Sequence, residues 1–73
     1  MQVRYDKEVD AAYIKLSSKR PEGAIEVDEG VILHVTEDDK IVGIEILKVS
    51  SKIPIKNLFN LKVDTYERRR KSS

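Results

Sequence analysis

The stretch VILHVT (31–36), EDDK (37–40) and IVGIEIL (41–47) decides the fold. The two apolar pieces are rich in β-branched residues, which favour strands, while the charged piece between them is typical of a hairpin turn. Both strands carry apolar residues at nearly every position, and such strands are usually covered on both faces. In a chain of 73 residues, we expect the second face to be covered by the C-terminal segment, by another copy or by a partner.

Shorter alternating segments precede this hairpin. Residues 2–6, 11–17 and 24–28 alternate between polar and apolar side chains, which predicts half-buried strands. Pro21 and Gly23 indicate a loop before the third of these strands, since proline lacks a backbone donor and glycine permits positive φ. The sequence therefore predicts an α+β, mostly β domain, a twisted antiparallel meander of four to five strands.

A short C-terminal helix completes the predicted fold. Ser50 and Ser51 are candidate N-cap residues, and Pro54 suits a first helical turn. Apolar residues at helical spacing follow within 55–59, so we expect one helix of one to two turns on the sheet.

Beyond the helix, residues 61–66 alternate and are compatible with a further edge strand. The run 67–73 is charged and has no apolar anchor, so we expect residues 66–73 to form a flexible tail. The predicted organisation is one small β-rich domain over residues 1–65, followed by this basic tail.

Composition excludes several protein classes. The chain has no cysteine, so it holds neither a disulfide framework nor a thiolate metal site. No apolar run approaches the roughly 18–20 residues that span a bilayer, and no signal-peptide core is present, so we expect a cytoplasmic protein. The 37% of charged residues favours a thermophilic source.

The charges are distributed unevenly. Residues 1–61 carry 9 Lys/Arg and 11 Asp/Glu, a net charge of −2, whereas residues 62–73 carry 5 and 2, a net charge of +3. A phosphate-binding domain concentrates its cations on the folded body, so nucleic acid is not the expected partner. The candidate contact for nucleic acid or an acidic partner lies in the tail, at Arg68, Arg69, Arg70 and Lys71.

Three acids resemble the start of a calcium loop, but the pattern does not continue. Asp6, Glu8 and Asp10 alternate as the first three ligands do, yet Ala11 replaces the required glycine and Ser17 the final glutamate. We interpret this segment as a charged turn, and we expect neither a metal nor another cofactor.

His34 and Glu45 are the residues that a catalytic site would need, but no catalytic residue is predicted, and we interpret His34 as half-buried or at an interface. His34 is the only histidine, and a zinc site without cysteine would need several more nitrogen or oxygen ligands. Glu45 interrupts an apolar strand, so it is either a carboxylate of raised pKa or the partner of a Lys or Arg on a neighbouring strand. We favour pairing, and a small hydrolase would require both residues to converge on one pocket. Gly43, between them, predicts a bulge or the close approach of another segment or side chain.

The leading functional prediction is a non-catalytic interaction module that forms a homo-oligomer, a dimer or larger, through its apolar second face. The candidate interface residues are Ile32, His34, Val42, Ile44, Glu45 and Ile46. An enzyme is not expected.

Three blocks of sequence resemble one small prokaryotic family, domain of unknown function 2283. They are Tyr5-Asp6-x-Glu8-x-Asp10-x-x-Tyr13-Ile14-x-Leu16, then Gly30-Val31-Ile32, then the strand 41–47. The resemblance covers about residues 3–53. The chain departs from the family at His34, at the turn 38–40 and at Pro54.

This family has no established activity, so the resemblance implies no functional residues. Some members are encoded beside small toxin-like proteins, which implies the alternative role of an antitoxin-like regulator that binds a toxin or nucleic acid. That implication is by association, since a shared fold does not establish a function.

Overall fold

The computed structural model describes residues 1–60 and 62. Five strands are followed by a 3₁₀ turn and one short helix, which confirms the predicted α+β, mostly β class. The elements are β1 (Gln2–Asp6), β2 (Ala11–Lys15), β3 (Gly23–Asp28), β4 (Val31–Val35), β5 (Ile41–Leu47), the 3₁₀ turn (Val49–Ser51) and α1 (Ile55–Leu58).

The five strands form one antiparallel sheet in the order β1-β2-β5-β4-β3. Strands β3 to β5 are a meander, but β5 then pairs with β2, so the sheet is two hairpin-connected units rather than one continuous meander. The chain crosses from β2 to β3 through residues 16–22. Hydrogen bonds from Ser17 N to Val42 O (3.2 Å) and from Glu22 N to Val35 O (2.8 Å) hold this crossing loop against β5 and β4.

The strand register assigns side chains to two faces, because residues directly opposite one another point to the same side. The side that carries the helix, here the helix face, has two apolar rows. The row nearer the helix contains Tyr5, Ala12, Ile46 and Val31, and the second row, here the apolar row, contains Val3, Ile14, Ile44, Leu33 and Ile25.

The hydrophobic core lies between the first of these rows and the C-terminal segment. Ala12, Ile46, Val49 and Leu58 form a buried cluster, with Val49 fully buried. The helix and 3₁₀ turn are short, so they cover the β1-β2-β5 half of the sheet. Exposure accordingly rises towards the β3 edge, where Ile25 is 47% exposed.

Asp10 joins the β1–β2 turn to the C-terminal segment. Its backbone is left-handed (φ 54°), and its carbonyl accepts a hydrogen bond from Val49 N at 3.0 Å. Its carboxylate accepts hydrogen bonds from Tyr5 Oη (3.0 Å), Ser50 N (3.2 Å) and Ser50 Oγ (2.5 Å). These bonds anchor a segment that is 40 residues away in the sequence.

The start of the helix differs from the prediction. Ser50 and Ser51 lie in the 3₁₀ turn, and Pro54 is the N-cap of α1, with no side-chain hydrogen bond at that cap. The N-cap prediction for the serines is therefore wrong, because the Ser50 hydroxyl is taken by Asp10.

The predicted strand over 61–66 and the tail with its basic residues lie outside the described residues, apart from Lys62, which is in no regular element. Within the described part of the chain, no helix is long and apolar enough to cross a membrane.

Candidate functional site

The face of the sheet opposite the helix, here the polar face, is where the chemistry-bearing side chains meet. One row across it contains Arg4, Tyr13, Glu45, Ile32 and Glu26, and the adjacent row contains Gln2, Lys15, Gly43, His34 and Ala24. The hairpin of β4 and β5 is thus apolar on its helix face and mixed on the other. This corrects the expectation that both faces of these strands are apolar.

Tyr13 is central to this face. A Cβ atom on Gly43 would overlap the ring and the hydroxyl of Tyr13, so the tyrosine lies directly across the β5 backbone. Its ring then meets the His34 ring edge-on, with centroids 5.2 Å apart at 65°, a favoured aromatic geometry. The close approach that Gly43 predicts is confirmed, because only glycine leaves this space free.

His34 and Glu45 converge. His34 Nε2 lies 3.0 Å from Glu45 Oε1, and the two side chains are 24% and 33% exposed. In the described residues the partner of Glu45 is therefore the histidine, not the Lys or Arg that the pattern favours. A histidine beside a carboxylate is an arrangement that general-base catalysis uses. General-base catalysis also needs a nucleophile within reach, and the hydrogen bonds of residues 1–60 and 62 give His34 no hydroxyl partner.

The register separates the six residues predicted as an interface. Ile32, His34 and Glu45 lie on the polar face, whereas Val42, Ile44 and Ile46 lie on the helix face. Val42 and Ile46 are 2% and 9% exposed, so the chain itself covers them. The set does not form one continuous surface, since neighbouring residues of a strand point to opposite sides.

Two shallow depressions flank the Arg4–Tyr13 pair. The first, of about 260 Å³, lies towards the β1–β2 turn and includes Asp6 and Glu45 in its lining. The second, here the basic pocket, has a volume of about 250 Å³ and lies between Tyr13 and the crossing loop. It is lined by Arg4, Tyr13, Lys15, Ser17, Ser18, Lys19, Arg20 and Pro21.

The basic pocket is absent from the predictions made from the sequence. The net charge of residues 1–61 does not indicate a local cluster of cations, because the acids of that segment do not line the pocket. The alternation of β1 and β2 places Arg4 and Lys15 on one face. The position of residues 17–21 next to them depends on the crossing to β3, which no local pattern specifies.

The acids of the β1–β2 turn serve structural contacts. Asp6 Oδ1 accepts a hydrogen bond from Glu8 N at 3.0 Å, and the Asp10 carboxylate is bound by Tyr5 and Ser50. The hydrogen bonds from Ser50 and Tyr5 lower the pKa of Asp10 below its ordinary value. Partial burial and the Asp10 carboxylate raise the pKa of Tyr5. Among the described residues, no group of three or more His, Asp or Glu side chains is arranged to hold a metal ion.

Comparison with known proteins places the chain in one family. The family model "Protein of unknown function (DUF2283)" matches residues 2–50, and the chain belongs to this family. The match covers all five strands and ends within the 3₁₀ turn. Comparisons with curated proteins and with solved structures give no match.

Proposed function

We propose that this member of an uncharacterised family is a non-catalytic interaction module that self-associates through the apolar row on the helix face. The observation that carries the proposal is that the row is covered only in part, from half-buried Val3 and Ile14 to exposed Ile25. The row runs across all five strands, yet none of its members is fully buried in the described structure.

The row continues beyond the part of the sheet that the helix covers. Val3, Ile14 and Ile44 pack against the edge of the core cluster, and Leu33 and Ile25 extend the row to β3. Five strands spaced about 4.8 Å apart make this a continuous band of about 20 Å. A band of this length differs from the scattered apolar residues of an ordinary surface.

A second copy of the chain suits this band because the row contains no charged side chain. In a two-fold dimer each row meets an identical row, so association buries no unpaired charge. Burial of apolar area also supplements the small core that 73 residues can form.

The test measures the mass in solution of the wild type and of two single variants, substituted at neighbouring positions of β3. Ile25→Lys introduces a charge into the row, whereas Ala24→Lys introduces the same charge one residue away on the polar face. We expect the wild type to have twice the 8.4 kDa chain mass. Ile25→Lys is expected to weaken the dimer by about tenfold or more, since burial of an isoleucine contributes about 1.5–3 kcal/mol.

Sedimentation or light scattering over a range of protein concentrations measures both effects. A wild-type mass that stays monomeric at every concentration contradicts the proposal, as does an equal loss of dimer in both variants. Thermal unfolding of each variant separates loss of association from loss of fold.

In the antitoxin-like alternative, either the basic tail, which lies outside the described residues, or the exposed sheet binds a toxin or nucleic acid. It predicts that a toxin or nucleic acid is retained on purification. If the tail is the contact, removing residues 66–73 abolishes this binding. Self-association through the apolar row predicts instead that the dimer is indifferent to salt and to this truncation.

A further inference from the structure

We propose that the basic pocket on the polar face binds a phosphate group carried by a small molecule or by a nucleic-acid strand. The inference is independent of self-association, because the pocket and the apolar row lie on opposite faces of the sheet.

The first argument is the charge of the pocket. Its lining contains four of the nine cations of residues 1–61 and none of the eleven acids. The four cations are Arg4, Lys15, Lys19 and Arg20. In the described part of the chain, no carboxylate lies within salt-bridge distance of any of them. Like charges brought together without a counter-ion repel one another, and a multivalent anion relieves that repulsion.

The second argument is the kind of donor. Two arginines supply planar guanidinium groups that bind phosphate oxygens in pairs, and two lysines supply compact charges. Tyr13, Ser17 and Ser18 also line the pocket. A volume of about 250 Å³ is small for a ligand site, so it suits a phosphate with part of the group that it esterifies.

The third argument is that the fold positions these groups from separate elements. Arg4 lies on β1, directly opposite Tyr13 on β2. Ser17 Oγ accepts a hydrogen bond from Lys19 N at 3.1 Å, which fixes the start of the loop, and the Ser17 amide is bonded to β5. The cations therefore surround a concave surface with a backbone that is held in position.

Three acids lie near the pocket without lining it. Asp6 and Glu45 line the neighbouring depression, which shares Arg4 and Tyr13 with the pocket, and Asp38 lies close enough to Lys19 to be affected by its charge. The Thr36 hydroxyl donates a hydrogen bond to Asp38, and this bond, with a smaller contribution from the charge of Lys19, lowers the pKa of Asp38. Asp38 is therefore ionised at neutral pH and partly offsets one of the four cations. Removing its charge is expected to strengthen anion binding.

The experiment titrates the full-length protein with inorganic phosphate at constant ionic strength, followed by the backbone amide resonances of residues 13–21. The test variant is Arg4→Gln with Lys15→Gln, and the control is Lys7→Gln with Lys56→Gln, which removes the same charge from exposed sites away from the pocket. We expect saturable shifts confined to the pocket and a loss of affinity of about tenfold or more in the test variant. The control is expected to change affinity less than about twofold.

Equal weakening by the two double variants overturns the proposal, because it indicates attraction to overall charge. Absence of saturable shifts at the pocket of the wild type also overturns it. Similar unfolding temperatures of the wild type and both double variants show that the comparison of affinities is not affected by loss of fold.

A second titration identifies the source of the phosphate. A short single-stranded oligonucleotide that binds more tightly than phosphate, with a salt dependence that the Arg4→Gln/Lys15→Gln variant reduces, assigns the site to a nucleic-acid strand. An oligonucleotide that binds no better than phosphate assigns it to a small phosphate ester. Both results support a phosphate site.

Discussion

The two faces of the sheet are built from the same five strands but have different surroundings. The helix face carries the apolar rows and the core cluster, in which Ala12 is 1% and Leu58 3% exposed. The polar face carries an aromatic, a histidine–glutamate pair and a basic pocket, all partly open to solvent.

This difference indicates that burial on the helix face supplies most of the free energy of folding. Side chains on the polar face contribute less, so their substitution should cost less stability. Burial of apolar area is the dominant favourable contribution to folding. The partly exposed hydrogen bond between His34 and Glu45 on the polar face is worth about 0.5–1.5 kcal/mol. Substitutions of equal size should therefore have unequal effects on the two faces.

The largest expected effect tests this directly with one residue type on each face. Ile46→Ala removes a side chain that is 9% exposed in the core cluster, so it should lower the free energy of unfolding by about 2–5 kcal/mol. Ile32→Ala changes a half-buried isoleucine on the polar face and should cost about 1 kcal/mol. Chemical denaturation measures both, and similar losses would contradict the asymmetry between the faces.

The next effect concerns the tightest contact on the polar face. Gly43→Ala places a methyl group where the Tyr13 ring lies, so we expect a loss of about 1–3 kcal/mol from overpacking. In a Tyr13→Ala background the same change should cost much less, because the space is then free. A double-mutant cycle measures this coupling. Additive effects would show that Tyr13 moves aside without cost.

The smallest effect is a pH dependence on the helix face. Hydrogen bonds, first from the Ser50 hydroxyl, hold the pKa of Asp10 below its ordinary value of 3.8. A carboxylate whose pKa is lower in the folded state stabilises the fold above its unfolded pKa, and this contribution is lost as the pH falls through the folded pKa. Wild type should therefore exceed Asp10→Asn in stability at neutral pH, and the excess should vanish in acid.

Thermal unfolding over a pH series measures that excess. Ser50→Ala is the matched control, because it removes the principal hydrogen bond and should raise the Asp10 pKa, which moves the loss of stability to higher pH. If the stability difference between wild type and Asp10→Asn is constant over the whole pH series, Asp10 contributes through its shape rather than its charge.

Much of the fold follows from local pattern. The alternation of residues 2–6 and the apolar hairpin of residues 31–47 predict strands that the structure contains at nearly the same bounds. The turn between β3 and β4 is also a local feature, since Gly30 supplies its positive φ of 71°. These features depend on neighbours in sequence, so periodicity and turn chemistry reveal them.

Other features depend on partners that are distant in sequence. The hydrogen bonds between Asp10 and Ser50 determine how the C-terminal segment begins. The residues next to Ser50 predict a helix cap because Asp10 is distant in the sequence and is not part of that local pattern. The same applies to Glu45, whose partner is the histidine on β4 rather than a lysine or arginine.

The sequence by itself determined that this chain forms an antiparallel sheet with a short helix, because side-chain alternation and turn residues act over a few positions. Only the tertiary structure decided that β5 lies between β2 and β4, and the register of β4 with β5 decided that His34 lies beside Glu45. The physical reason is that hydrophobic burial is non-directional. An apolar pattern predicts that a residue will be buried. Which residues cover it depends on the register of strands that are far apart in the chain.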